Sequence, residues 1–215
     1  MTFDTLPPLA PAGRRPAAAT ATTGPVLWLV RHGESTWNAL GLAQGQSDQP
    51  WLTRRGALQA RYVADQLRFL PIGAVYASDL RRATETAAPL AAALRLEVTR
   101  DPRLRERGLG VLEGTGSVDI PAALSGVAGD RVIDPDARPP DGESLRDLYW
   151  RVAGFADDLL ARCRPGWPGQ VAVVAHGGTL RVLRAYLRGV PVERMSWEPI
   201  GNATVVRLPL QHAHS

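Results

Sequence analysis

Residues 26–38 read VLWLVRHGESTWN. The apolar run Val26 to Val30 follows the punctuating pair Gly24-Pro25 and is short enough for a buried strand. It ends abruptly at Arg31, His32 and Gly33, which place a cation, an imidazole and a flexible residue side by side. A second run of the same kind, Val171 to Ala175 (VAVVA), ends in His176, Gly177 and Gly178. In open α/β sheets, ligands bind beyond the carboxyl ends of the strands. The two stretches therefore predict one sheet that brings His32 and His176 to a common edge.

Outward from these two strands, the chain alternates strand and helix. A polar, Gly-containing loop covers Gly33 to Pro50, and loops of this length beside a strand end are often functional. Thr53 is a candidate N-cap for a helix running to Leu70, with Leu58, Tyr62, Leu67 and Phe69 as its apolar face. Ile72 to Ala77 is a strand. Ser78-Asp79 then cap a helix that Pro89 ends or kinks. Arg81 and Arg82 lie in its first turn, where positive charge opposes the helix dipole, so they ask for an anionic partner. Asp79 or Glu85 is a local candidate, and a bound phosphate is another.

Leu96 to Thr99 reads as a strand, residues 114–140 as loop with a short helix near Asp119 to Leu124, and Ser144 to Cys163 as the longest helix, broken by Pro165 to Pro168. Thr179 to Leu187 is a helix and Ala203 to Leu208 a closing strand. This order predicts a three-layer α/β/α fold with a mostly parallel central sheet. Residues 1–24 form a Pro/Ala-rich arm without usable period, expected to be disordered. Residues 25–210 make one domain, and 211–215 are a flexible tail.

Composition narrows the function classes. The 215 residues contain 25 basic side chains, all arginine, and one cysteine. A lysine-free chain has no Schiff-base or P-loop lysine, and a single cysteine excludes an internal disulfide framework or a cysteine zinc site. Cys163 sits at a helix end and reads as a packing residue. The net charge of +4 comes from scattered arginines rather than a basic run, which gives no nucleic-acid footprint. No stretch approaches the roughly 18 apolar residues of a membrane span. No basic segment followed by an apolar core opens the chain, so the cytoplasm is the expected location.

The chemistry-bearing set is His32, His176, Arg31, Arg82 and a carboxylate at Glu106 or Glu113. Two arginines beside a divalent cation are unfavourable, and no helical His-x-x-x-His is present. The set suits phosphoryl transfer: one imidazole attacks phosphorus, the cations hold the oxygens, and a carboxylic acid protonates the leaving oxygen. A Ser-His-Asp hydrolase would want a Gly-x-Ser-x-Gly elbow, and none occurs.

LVRHGESTWN (29–38) resembles the signature of the histidine phosphatase superfamily, the phosphoglycerate mutase-like fold. The resemblance extends through QGQSDQPWLTRRGALQA (44–60), SDLRRATET (78–86), LRERGLG (104–110), DGESL (141–145) and VVAHGGTLR (173–181). It implies that His32 is the phosphorylated nucleophile and that Arg31, Arg82 and His176 bind the phosphoryl group, with Gly177 beside them. Glu106 is by this resemblance the general acid and then the base. Asn38, Gln44 and Gly45 line the pocket, and neither metal nor other cofactor is used. Arg82, which precedes Ala83 as in the family, is the phosphate ligand, while Arg81 is a rim residue. Glu113 reads as structural and Glu34 as a loop holder. Arg107, after the acid, is expected to point outward to solvent or the pocket rim.

Mutases of this fold resemble one another in an extra basic segment after the acid. Here residues 114–140 are short and apolar, with Arg131 and Arg138 their only bases, which favours hydrolysis of a small phosphate ester over a mutase reaction. Some members of the fold instead bind phosphorylated proteins with weakened catalysis, but the intact set of five argues against that. The expected partners are a small-molecule phosphate ester and, at most, a second copy in a homodimer, with no nucleic acid and no membrane.

Overall fold

The computed structural model describes residues 25–163 and 169–210. The expected arm, the tail and the break at Pro165 to Pro168 lie outside them. Five strands form the main sheet: β1 (Val26–Arg31), β2 (Ile72–Ala77), β3 (Val98–Arg100), β6 (Gln170–Ala175) and β7 (Val205–Pro209). Their order is β3-β2-β6-β1-β7. β1, β2, β3 and β6 run parallel, and β7 closes the sheet antiparallel to β1.

The strands are apolar throughout because both faces of the sheet are covered. Side chains alternate along β1, so Leu27 and Leu29 join one core and Val26, Trp28 and Val30 the other. The first core is filled by α5 (Leu145–Arg162) and α6 (Gly177–Leu187), through Leu148, Val152, Phe155, Leu180 and Leu183. The second is filled by α2 (Arg54–Leu67) and α3 (Arg81–Leu94), through Val63, Leu67, Ala87 and Leu90. The result is the expected three-layer sandwich. Cys163 is buried in the first core, as a packing residue should be. Over the strand ends lie α1 (Thr36–Ala39), the 3-10 turns of 102–119, α4 (Ala122–Ser125) and the ribbon β4 (Val127–Ala128) with β5 (Arg131–Val132).

Several local expectations need correction. Thr53 does cap α2, accepting from Gly56 N, yet Leu58, Tyr62 and Phe69 are exposed. The buried face is instead Gly56, Ala60, Val63, Ala64 and Leu67. Small residues let α2 lie close to α3 and, at Gly56, to the loop at Glu34, where a search for large apolar side chains misses them. α3 starts one or two residues later than predicted. Leu80 is its N-cap and no side chain caps it, because Ser78 and Asp79 are committed elsewhere. Pro89 sits inside α3 without ending it. The alanines around it favour helix and pack against α2 and the sheet, which outweighs one missing backbone hydrogen bond. The third strand begins at Val98 and the closing strand at Val205, after Ala203 adopts a positive φ. Residues 119–124 split between a 3-10 turn and α4.

Candidate active site

β1, β2 and β6 all end at one edge of the sheet, and β6 lies between the other two. This brings the His32 and His176 rings to a centroid separation of 5.1 Å, edge to face. Both are buried, at 2% and 1% exposure. Burial pushes both imidazole pKa values well below the ordinary range, and the guanidiniums of Arg82 and Arg31 push the same way. Both rings are therefore neutral near pH 7. His32 Nδ1 lies 2.7 Å from Gly33 O. A carbonyl only accepts, so Nδ1 carries the proton and the Nε2 lone pair is left to react. His176 Nε2 lies 2.9 Å from Ser78 Oγ, the residue that follows β2.

Arg82 is fully buried at the start of α3. Its Nη1 donates to Ser47 O at 2.7 Å and its Nη2 to Gly45 O at 2.8 Å, so the 44–48 loop is folded around the guanidinium. Burial lowers its pKa to about 10, which leaves it charged at neutral pH. Arg31 reaches across to Ile200 O. Arg81, one position from Arg82, points the other way. It is half exposed, pairs with Glu85 at 2.7 Å and stacks on Trp51. The two arginines that the sequence set in one helical turn thus serve rim and pocket, about 100° apart around the helix.

Glu106 comes from the irregular segment after β3, and its position is built from both sides. Its Oε2 accepts from Gly178 N at 2.9 Å, and its Oε1 from Thr179 N at 3.2 Å and Arg107 N at 2.9 Å. The open N-terminus of α6 is thus occupied by the carboxylate. A Cβ at Gly178 would sit 2.4 Å from Glu106 Oε1, so a side chain there would displace the carboxylate from this position. Arg151 of α5 donates to the carbonyls of Arg103, Arg105 and Glu106 and pairs with Glu143 at 2.6 Å. Arg105 pairs with Asp79 at 2.6 Å, tying the segment to the end of β2. Asp79, which the sequence suggested as a cap, does this work instead.

A cavity of about 460 Å³ opens above these groups. It is lined by Arg31, His32, Asn38, Gln44, Gly45, Arg82, Glu106 and His176, so the sequence-predicted set converges on it. Gly177 is buried beside the cavity but does not line it. Glu113 is structural, accepting from the backbone of Gln46 and Leu109. Glu34 holds its loop through Thr53 Oγ1 at 2.8 Å and Arg55 at 3.4 Å. Among the described residues, three buried nitrogens have no hydrogen-bond partner: Arg31 Nε, Arg82 Nε and His176 Nδ1. Orphaned buried polar groups are costly, and three from separate elements around one cavity are the mark of a site that awaits an anion. Among the described residues no group of three or more His, Cys, Asp or Glu side chains is arranged to hold a metal ion.

One expectation is overturned in part. Arg107 does not point to solvent, being 5% exposed, although it does border the cavity, the other place expected for it. Its guanidinium donates to the carbonyls of Leu124, Ser125, Ala137 and Glu143, which stitches the 122–143 segment to the acid-bearing turn. Backbone carbonyls, invisible in a sequence, supply the partners that its charge needs.

Residues 27–215 match the histidine phosphatase superfamily, branch 1. The chain belongs to that superfamily. Among curated relatives, the probable phosphoglycerate mutase GpmB of Enterobacter sp. (strain 638) is 37% identical over 188 residues, covering 87% of this chain and 86% of that protein. Its counterpart from Proteus mirabilis is 35% identical at the same coverage. Among solved structures, a mycobacterial glucosyl-3-phosphoglycerate phosphatase superposes with a TM-score of 0.72 at 32% identity, covering 86% of this chain and 89% of the other. The alpha-ribazole phosphatase from Shigella flexneri gives 0.73 at 27% identity, covering 87% and 91%. The fold is thus that of phosphatase-type enzymes, and the names of the sequence relatives add a mutase.

Sequence reading missed three polar supports. Ser78 holds His176. Thr86 Oγ1 accepts from Gly33 N at 3.0 Å. The Asn202 amide donates to His32 O, Gly33 O and Asn38 Oδ1. Asn202 lies in the Gly-Asn turn before the last strand, and the turn was its only signal. Among the described residues no helix is long and apolar enough to cross a membrane.

Proposed function

We propose that this protein is a metal-independent phosphomonoesterase that hydrolyses a small phosphorylated metabolite through a phosphohistidine on His32. The three orphaned nitrogens around His32 carry this reading, because a phosphoryl group supplies the acceptors they lack. The neutral Nε2 of His32 attacks phosphorus as the ester P–O bond breaks, and Glu106 gives its proton to the leaving oxygen. Arg31, Arg82 and His176 hold the non-bridging oxygens as charge moves onto them. Glu106, now ionised, takes a proton from water as that water attacks phosphorus. The P–N bond breaks, releasing inorganic phosphate and restoring neutral His32.

Hydrolysis is favoured over phosphoryl return by the outer wall. Of residues 114–140, the cavity is lined by Ser117, Ile120, Ser125, Val127 and Gly129, with no cation among them. Arg138 turns away to pair with Asp147, and Arg131 lines a separate cavity with Glu193. A mutase reading is supported by the names of the GpmB relatives. The deciding experiment is a metal-free screen of phosphate esters, with phosphate release and 3- to 2-phosphoglycerate conversion measured on the same sample. Release of phosphate from several esters supports the proposal; isomerisation without release overturns it in favour of the mutase.

A further inference from the structure

The two ring nitrogens of His176 have opposite surroundings. Nε2 lies 2.9 Å from Ser78 Oγ. Nδ1 is buried without a partner, on a ring that lines the cavity. A neutral imidazole has one N–H and one lone pair, so only one of the two nitrogens carries the proton. Ser78 is itself fully buried, and its hydroxyl decides which.

Ser78 Oγ already accepts from Leu80 N at 3.3 Å, in the turn that opens α3. Among the described residues its own proton has no acceptor except His176 Nε2. If the hydroxyl donates to Nε2, Ser78 is fully used and the imidazole proton lies on Nδ1. If Nε2–H donates to Ser78 instead, a buried hydroxyl proton is left unpaired. Nδ1 would then turn a lone pair toward phosphoryl oxygens, which also only accept. The second arrangement loses a hydrogen bond and sets acceptor against acceptor. Nor do the amides of Gly178 and Thr179 at the start of α6 need Nδ1 as an acceptor, because both donate to Glu106. A doubly protonated ring is opposed by burial and by the nearby guanidiniums of Arg82 and Arg31.

His32 also carries its proton on Nδ1, where Gly33 O accepts it. The two rings, with centroids 5.1 Å apart, therefore share a tautomer but offer the cavity different things. His32 keeps a free Nε2 lone pair. His176 has its Nε2 lone pair taken by Ser78 and keeps a free Nδ1–H.

We infer that Ser78 is a positioning residue that fixes His176 in the Nδ1–H tautomer, so that His176 donates to the phosphoryl group and only His32 attacks it. The partner of each ring, a carbonyl for one and a hydroxyl for the other, separates ligand from nucleophile.

This inference deepens the phosphatase reading and rests on it, but its first test needs no turnover. Nitrogen NMR of the protein carrying isotope-labelled histidine distinguishes protonated from unprotonated ring nitrogens, and His176→Gln assigns the His176 signals by their loss. In the wild type His176 should show a protonated Nδ1 and an unprotonated Nε2, with and without inorganic phosphate. Protonation at Nε2, or at both nitrogens, overturns the inference without any variant. Free neutral histidine favours Nε2–H, so Ser78→Ala should move His176 toward that form. The same variant should lower kcat on phenyl phosphate about 10- to 100-fold, less than the outright loss of a transition-state donor because the ring remains. Ser78→Thr, which keeps the hydroxyl, should keep the Nδ1–H signature and most of kcat. If Ser78→Ala lowers kcat while the Nδ1–H signature stays, the hydroxyl is merely structural and the inference fails. Failure of the phosphatase reading would show separately, as a wild type that releases phosphate from neither phenyl phosphate nor any other ester.

Discussion

The floor of the cavity and its outer wall are built by different means. The floor comes from the ends of three parallel strands buried on both faces, and each catalytic candidate on it is fixed by hydrogen bonds to neighbouring backbone or to Ser78. The wall comes from residues 114–140, whose elements are two to four residues long and whose side chains include exposed Val118 and Ile133. Arg107 is the buried side chain that ties the wall to the acid-bearing turn, beside backbone hydrogen bonds of Thr115, Gly114 and Ser117 to the 41–43 segment and of Trp197 to Asp130. The groups proposed for the chemistry thus rest on strand ends and the turns beside them, while the outer wall is built of short elements.

Changes to the floor should affect the chemical step, and changes to the wall should affect binding. The largest effect is expected for His32→Ala. With the nucleophile gone, kcat on an aryl phosphate should fall about 10⁴-fold or more, with an unchanged far-UV spectrum. Glu106→Gln keeps at most two of the three backbone hydrogen bonds, because the amide nitrogen cannot accept, and it has no proton to deliver. It should lower kcat about 10²- to 10³-fold for a poor leaving group and much less for nitrophenol, which leaves without protonation. An equal loss on both esters would make Glu106 structural.

Arg107→Leu breaks the comparison from the other side. It leaves four carbonyls without their donor. Unfolding should require about 2–3 kcal/mol less, and KM should rise about tenfold with a smaller change in kcat. If kcat falls as far as for Glu106→Gln, then wall and floor are one unit. The smallest effect concerns pH. His32 is held well below the ordinary imidazole range, so it stays neutral as pH falls through 6.5. The profile of kcat/KM should be flat through that region on the His32 account, and a limb assigned to His32 near 6.5 by NMR titration would contradict it.

How much of this was legible in the chain follows the same division. His32 and His176 could be paired because each ends an apolar run, and a parallel sheet gathers such ends. Arg82 could be separated from Arg81 only through the family resemblance, with the helical turn to explain the difference. The inward turn of Arg107 was not legible, because its partners are main-chain carbonyls placed by the folding of 122–143. The packing of α2 through Gly56, Ala60 and Ala64 was missed for a related reason: close approach selects small residues, which carry little hydrophobic signal. Ser78, Thr86 and Asn202 support the floor from three different elements, a convergence that tertiary structure alone creates.

The account turns on a covalent bond between phosphorus and His32. Rapid quench of the enzyme with a phosphate ester, followed by peptide mapping under alkaline conditions, tests this directly. The account predicts an acid-labile phosphoryl group on the peptide containing His32, formed and lost at rates that match turnover. Steady turnover with no such adduct, or with the phosphoryl group on another side chain, would contradict it.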